Sequence, residues 1–218
     1  MRKYIKAEIQ NMSKSEALSM IPQDTLERIK RTDKRPEIKV FAIAHEGTAH
    51  ASELSFGMKL KKAFNYVKDM IIRIHEKLQI GTPIFNRHKD TNEHIGREQI
   101  GELVGKAVRY VGEKLATLAA IYIYPEHRKL PLDVASFEAN IEYIPKSKDK
   151  AEVIDIDDIT GIALSNSAID RPAFEGATLL GVVQAFIQPE SEDDVLLAKI
   201  KAIRQKLPQG LWSNHKRG

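Results

Sequence analysis

Apolar residues recur along this chain with two different periods, and the change from one to the other marks its elements. Residues 2–10 set Tyr4, Lys6 and Glu8 against Ile5, Ala7 and Ile9, the period of two that predicts a strand. Two short helices are expected next, Ser13 to Ile21 and Gln23 to Arg31, the second opening beside Pro22, where a missing amide proton costs little. Ile38 to Ala44 is β-branched and aromatic enough for a second strand, ended by Gly47. From Met58 to Leu78, Leu60, Phe64, Val67, Ile71, Ile74 and Leu78 recur every three or four residues, which predicts one long amphipathic helix. Its polar side would carry Lys59, Lys62, Lys68, Arg73 and Lys77, read first as a solvated face. Pro83 forbids further helix, and Ile84 and Phe85 form a short strand leading into Asn86-Arg87-His88.

Glycines punctuate Gly101 to Tyr124, which reads as two strands turning near Gly112-Glu113-Lys114 and closed by Pro125. Val134 to Ile144 alternates most cleanly: Ala135, Phe137, Ala139, Ile141 and Tyr143 share one face, and Ser136, Glu138, Asn140 and Glu142 share the other. A turn over Pro145 to Lys150 separates it from strands at Glu152 to Ile156 and Ile159 to Leu164. Thr178 to Ile187 fits helix or strand equally. A linker at Pro189 precedes a last helix, opened by Ser191 and Asp194 and using Leu196, Ile200, Ile203 and Leu207. The division expected is therefore a domain over 1–188 and an appendage over 189–218. Many strands without regular βαβ alternation predict an α+β class, mainly β with flanking helices: an antiparallel sheet or barrel.

Composition narrows the chemistry. With no cysteine, disulfides, thiolate nucleophiles and cysteine-bound metals are all excluded. The longest apolar run, Leu115 to Tyr124, is far shorter than the roughly 20 residues of a membrane helix, so a soluble chain without a signal peptide is expected. The net charge of +4 is mild, and no stretch interleaves bases with aromatics, so neither nucleic acid nor membrane is an expected partner. None of the seven histidines has the i,i+4 helical spacing of a zinc hydrolase. Asp155, Asp157 and Asp158 lack the glycine and distal glutamate of a calcium loop, so no metal site is expected. No glycine-rich phosphate loop follows a strand. A covalent hydrolase built from this chain would need serine or threonine activated by a neutral imidazole, although no Gly-x-Ser-x-Gly elbow is present.

Four segments occur in an informative order: Thr82-Pro-Ile-Phe-Asn-Arg-His88, Gly101-Glu-Leu-Val-Gly105, Leu132-Asp-Val-Ala-Ser136-Phe-Glu-Ala139, and Ile159-Thr-Gly-Ile-Ala-Leu164 followed by Arg171-Pro-Ala173 and Gly176-Ala177. Over Thr82 to Gly176 the chain resembles the prohead maturation proteases of tailed phages, a group similar in fold to the herpesvirus capsid-assembly proteases. The resemblance implies a closed β-barrel with surrounding helices. It also implies a serine endopeptidase that needs no cofactor and acts in the host cytoplasm, inside the assembling procapsid. Scaffold and capsid proteins would be its substrates, and the resemblance leaves room for self-cleavage and for a homodimer or higher oligomer. On matching positions His88 is the general base and Ser136 the nucleophile. Relatives often carry an acid on the strand Ile159 to Leu164, but the matching position here is Gly161. Asp157, four residues earlier, is the acid chosen in its place, while Glu138 shares the face of Ser136. Arg171 stands where an oxyanion-binding arginine is sometimes found, or else anchors a turn before Pro172. The 189–218 appendage would be the start or remnant of a scaffolding segment, or a helix packed on the barrel. Two other classes compete: a structural or scaffolding capsid-assembly protein without turnover, and a small domain binding an anionic partner through the Met58 to Leu78 helix.

Overall fold

The computed structural model describes residues 12–55, 58–88, 96–167, 174 and 179–184, all belonging to the compact unit Met1–Ala185. The strand expected over 2–10, Arg171, the helix expected after Ser191 and the boundary at 188 lie outside the described residues. In chain order the elements are α1 (Lys14–Ser19), α2 (Gln23–Thr32), β1 (Glu37–His45), β2 (Gly47–Ser55), β3 (Met58–Tyr66), α3 (Lys68–Lys77), β4 (Pro83–Phe85), β5 (Gln99–Val111), β6 (Lys114–Ile123), β7 (Val134–Ser147), β8 (Lys150–Ser165) and β9 (Leu179–Gln184). The nine strands form one curled, half-barrel sheet in the order β2-β3-β8-β4-β5-β6-β1-β9, with β7 paired to β8. Pairing is antiparallel except where β8 runs parallel to β3 and to β4. The mainly β class with flanking helices is thus observed.

The closed barrel is not. The strand path starts at β2 and ends at β9, and no ladder joins those two strands among the described residues. An isolated antiparallel bridge, Ala49 to Phe174, ties β2 to the segment that leads into β9.

Strands β1 and β6 are apolar on both faces because both are covered, which is why they read as near-continuous hydrophobic runs. Phe41, Ile43, Ile121 and Ile123 face one core, together with Ile71 and Ile74 of α3 and Leu78 just after it. Ile38, Val40, Leu118 and Ala120 face the other, with Ala17 of α1, Leu26 and Ile29 of α2 and Ile21 between the two helices. A capping box opens α1: Ser13 Oγ accepts from the Glu16 amide and Glu16 Oε2 from the Ser13 amide. The β5–β6 hairpin turns where expected, with Gly112 at φ +61°.

The long helix of Met58 to Leu78 needs correction: its first half is β3, paired antiparallel with β2 from Met58–Ser55 to Tyr66–Gly47, and only Lys68–Lys77 is helical. Leu60 and Phe64 are four apart, a spacing that satisfies both the strand and the helix period, so periodicity alone did not separate them. The buried pair Phe64 and Tyr66, two apart, carries the strand signal. Nor is the polar side simply solvated: Arg73 makes two bonds to Asp155 at 2.8 and 3.0 Å, and Lys68 donates to the Tyr110 hydroxyl at 3.2 Å. From β5, Lys106 Nζ donates at 2.7 Å to the carbonyls of both His75 and Leu78, capping the end of α3. The turn expected over Pro145 to Lys150 shrinks to residues 148–149, because β7 and β8 continue to it as one long hairpin. The two strands expected over 152–164 are one, and the ambiguous segment after Thr178 is strand β9, paired with β1.

At the end of α2, Asp33 is buried and accepts from the Arg35 amide, the Tyr122 hydroxyl and the Arg128 guanidinium. Burial by itself would raise its carboxyl, but those three donors hold it below the ordinary carboxylate value. Burial and the neighbouring Asp33 push the Tyr122 phenol up to about 12. A depressed folded value means that the stability from Asp33 is present above its unfolded value near pH ~4, and is lost as pH falls through the folded one. Asp33→Asn should cost roughly 1–3 kcal/mol at pH 7 and less at pH 3, read by urea unfolding at the two pH values.

Candidate active site

The site is organised by three neighbouring strands. In register, Ser136 of β7 faces Ala163 of β8, and Ala163 faces Phe85 of β4, so these residues form one row across the sheet. Two residues along β7, Glu138 faces Gly161. No bulge interrupts Ser136 to Glu138, so their side chains leave the same face of β7, about 7 Å apart. The opposite face carries Phe137, which packs against the core. This bears out the alternation over Val134 to Ile144, and it puts the polar positions away from the apolar ones. The polar face is nonetheless covered at Ser136, which is only 9% exposed.

His88 follows β4 after a tight neck. Asn86 donates its side-chain amide to the Gly96 carbonyl at 3.1 Å and accepts the Glu98 amide at 3.0 Å, while its own amide bonds the Glu98 carbonyl. That three-point tie brings the chain before β5 back alongside the end of β4. From it His88, half-exposed at 51%, places Nδ1 3.4 Å from Glu138 Oε1. The other carboxylate oxygen, Oε2, accepts from Arg97 Nη2 at 2.6 Å. Arg97 lies flat over the Phe85 ring, 3.5 Å from its centroid, and donates through Nε to the Arg87 carbonyl. Glu138 and Arg97 are 12% and 14% exposed, so the carboxylate is largely withdrawn from water, with one oxygen bonded to a guanidinium and the other facing an imidazole.

Glycine at 161 has a steric reason. A Cβ there would stand 2.9 Å from Phe85 Cε2 and 3.4 Å from the Pro83 carbonyl, so the Phe85 ring fills the space a side chain would occupy. A carboxylate at 161 cannot coexist with this packing.

Of the residues singled out in the sequence, the structure brings Ser136, Glu138 and His88 to one face. It does not bring Asp157 there. Asp157 is an exposed extra residue where the register steps from Asn140–Asp158 to Ile141–Ile156. It lies four residues, about 13 Å, along β8 from Gly161, and a further bulge at Thr160 between them breaks the strict alternation that would put the two on a common face. Its neighbour Asp155 is engaged elsewhere: the Ile156 amide and then Arg73 hold that carboxyl below its usual range. Glu138 was legible as a same-face neighbour of Ser136; Arg97 had no signal, since nothing in its spacing ties it to either residue. Comparisons with protein-family models, curated proteins and solved structures found no match.

Gly161→Ala should destabilise the fold by roughly 1–3 kcal/mol through overpacking against Phe85. In a Phe85→Ala background the same substitution should cost much less, and denaturant unfolding of the four proteins of that double-mutant cycle measures the difference.

Proposed function

We propose that this chain is a serine endopeptidase of the phage prohead maturation type, with Ser136 as nucleophile and His88 as general base. The observation that carries the reading is the position of His88: its Nδ1 is turned to Glu138, two residues from Ser136 on the same face, which leaves Nε2 as the nitrogen for the serine. In the acylation step Ser136 Oγ bonds to the scissile carbonyl carbon while His88 Nε2 takes the hydroxyl proton. The tetrahedral intermediate collapses, the peptide C–N bond breaks, and His88 returns that proton to the leaving amine. Water then releases the acyl group with the imidazole again acting as base. Scaffold and capsid proteins are the substrates in this reading, and the site of action is the assembling procapsid. The closed barrel belongs to the same reading, supported by the curl of the sheet and by the Ala49–Phe174 bridge.

A second reading, a structural capsid-assembly protein without turnover, is favoured by the low exposure of Ser136 and by glycine at 161. The reading as a small domain binding an anion through a long basic helix loses its basis, because Lys59 and Lys62 lie on β3 and Arg73 is paired.

Co-expression with a capsid or scaffold protein of the same genome separates the first two. Wild type should cleave it, or trim its own termini, and Ser136→Ala should not, as read by intact mass. Cleavage that persists in Ser136→Ala removes Ser136 from the mechanism, and absence of cleavage in both supports the structural reading.

A further inference from the structure

The acid that the resemblance would place at 161 is absent, and yet the imidazole already has a carboxylate. We infer that Glu138, clamped by Arg97, is the positioning residue of His88, holding its ring with Nδ1 toward the carboxylate and Nε2 away from it. The inference rests on the endopeptidase reading for its catalytic consequence, but the contact itself concerns only His88, Glu138 and Arg97.

Three observations lead to it. Glu138 and Gly161 are cross-strand partners, so a side chain from 138 leaves the same patch of sheet that one from 161 would. The carboxylate is not free to choose its direction, because Oε2 is bonded to Arg97 at 2.6 Å while Oε1 faces His88 Nδ1 at 3.4 Å. Arg97 is itself fixed by the Phe85 ring beneath it and by the Arg87 carbonyl. The pieces depend on one another. Without a Cβ at 161 the Phe85 ring fits; on that ring the guanidinium lies flat; from there it points Glu138 toward the imidazole. The missing acid on β8 and the acid on β7 are therefore two sides of a single arrangement. Asp157, the acid chosen from the sequence, does not compete, since it sits about 13 Å from Gly161 along the strand.

Chemistry assigns the role of each part. A neutral imidazole that donates Nδ1–H to a carboxylate presents Nε2 as its acceptor, whereas without that acceptor the proton moves readily to Nε2, the wrong nitrogen for a base. Arg97 offsets part of the negative charge of Glu138, so the carboxylate acts by orienting the ring more than by stabilising its protonated form. The lysine variant keeps the charge but loses the flat stack and the forked donor, and is not a conservative replacement here.

The test uses the full chain and two readouts. Long-range proton–nitrogen NMR of neutral His88, assigned with His88→Gln, reports which ring nitrogen carries the proton. Reaction with a fluorophosphonate probe, in which Ser136 Oγ bonds to phosphorus, fluoride departs and the imidazole takes the proton, reports the activated serine by mass. We expect the proton on Nδ1 in wild type and its shift toward Nε2 in Glu138→Gln. Phosphonylation should slow about 10²–10⁴-fold in that variant. Arg97→Gln and Arg97→Lys should both shift the ring proton in the same direction. A shift of the proton with no phosphonylation even in wild type supports the Glu138 contact and overturns the endopeptidase reading. A ring proton that stays in place in Glu138→Gln overturns the inference, whatever the reactivity of Ser136. Should Glu138→Gln fail to fold, the Arg97 variants decide by the same criterion.

Discussion

Strand β8 is the member on which the arrangement depends, because three other strands satisfy their backbone hydrogen bonds through it. Along one edge it pairs antiparallel with β7 for almost its whole length; along the other it pairs parallel with β3 near Lys150 and with β4 near Ile162. Buried amide and carbonyl groups must find partners, so the register of these ladders is strongly constrained. A one-residue slip in β7 would exchange Ser136 and Glu138 for Phe137, moving the polar pair into the core and an aromatic ring onto the site. Helix α3 lies against the same strand, tied by Arg73 to Asp155.

The polar cluster is a solution to a burial problem as much as a piece of chemistry. A carboxylate that is 12% exposed is costly unless both oxygens are engaged, and here one is bonded to a guanidinium while the other faces an imidazole. The guanidinium would in turn be exposed to the same cost without a surface to lie on, which Phe85 supplies. Phe85 has room for its ring only because the residue under it is glycine. A chain of local requirements thus runs from a missing Cβ on β8 to the orientation of a histidine after β4, and each link is a contact between residues far apart in sequence.

Where pattern reading succeeded, one element had one periodicity and one environment. The strand at Val134, the hairpin at Gly112, the two N-terminal helices and the strand at Ile38 each matched, since alternation or a turn residue left a single choice. It failed over Met58 to Tyr66, where spacing by four suits either geometry and only pairing with β2 decides. It also failed at Asp157, because counting along a strand assumes that no residue is extra, and β8 carries bulges at both Thr160 and Asp157. The burial of Ser136 was illegible for a related reason: alternation says which face a side chain leaves, not what lies over that face.

By itself the sequence determined the class of the fold, most of its strands, the shared face of Ser136 and Glu138, and the absence of any side chain at 161. These are properties of residue type and local period, which every segment carries with it. Tertiary structure alone decided that the sheet order runs from β2 to β9, that Glu138 rather than Asp157 meets His88, and that Arg97 completes the cluster. Those outcomes depend on strand register, on bulges and on the Asn86 tie that returns the chain beside β4. Each is a relation between distant segments, and the hydrogen bonds that fix it exist only once the strands have paired.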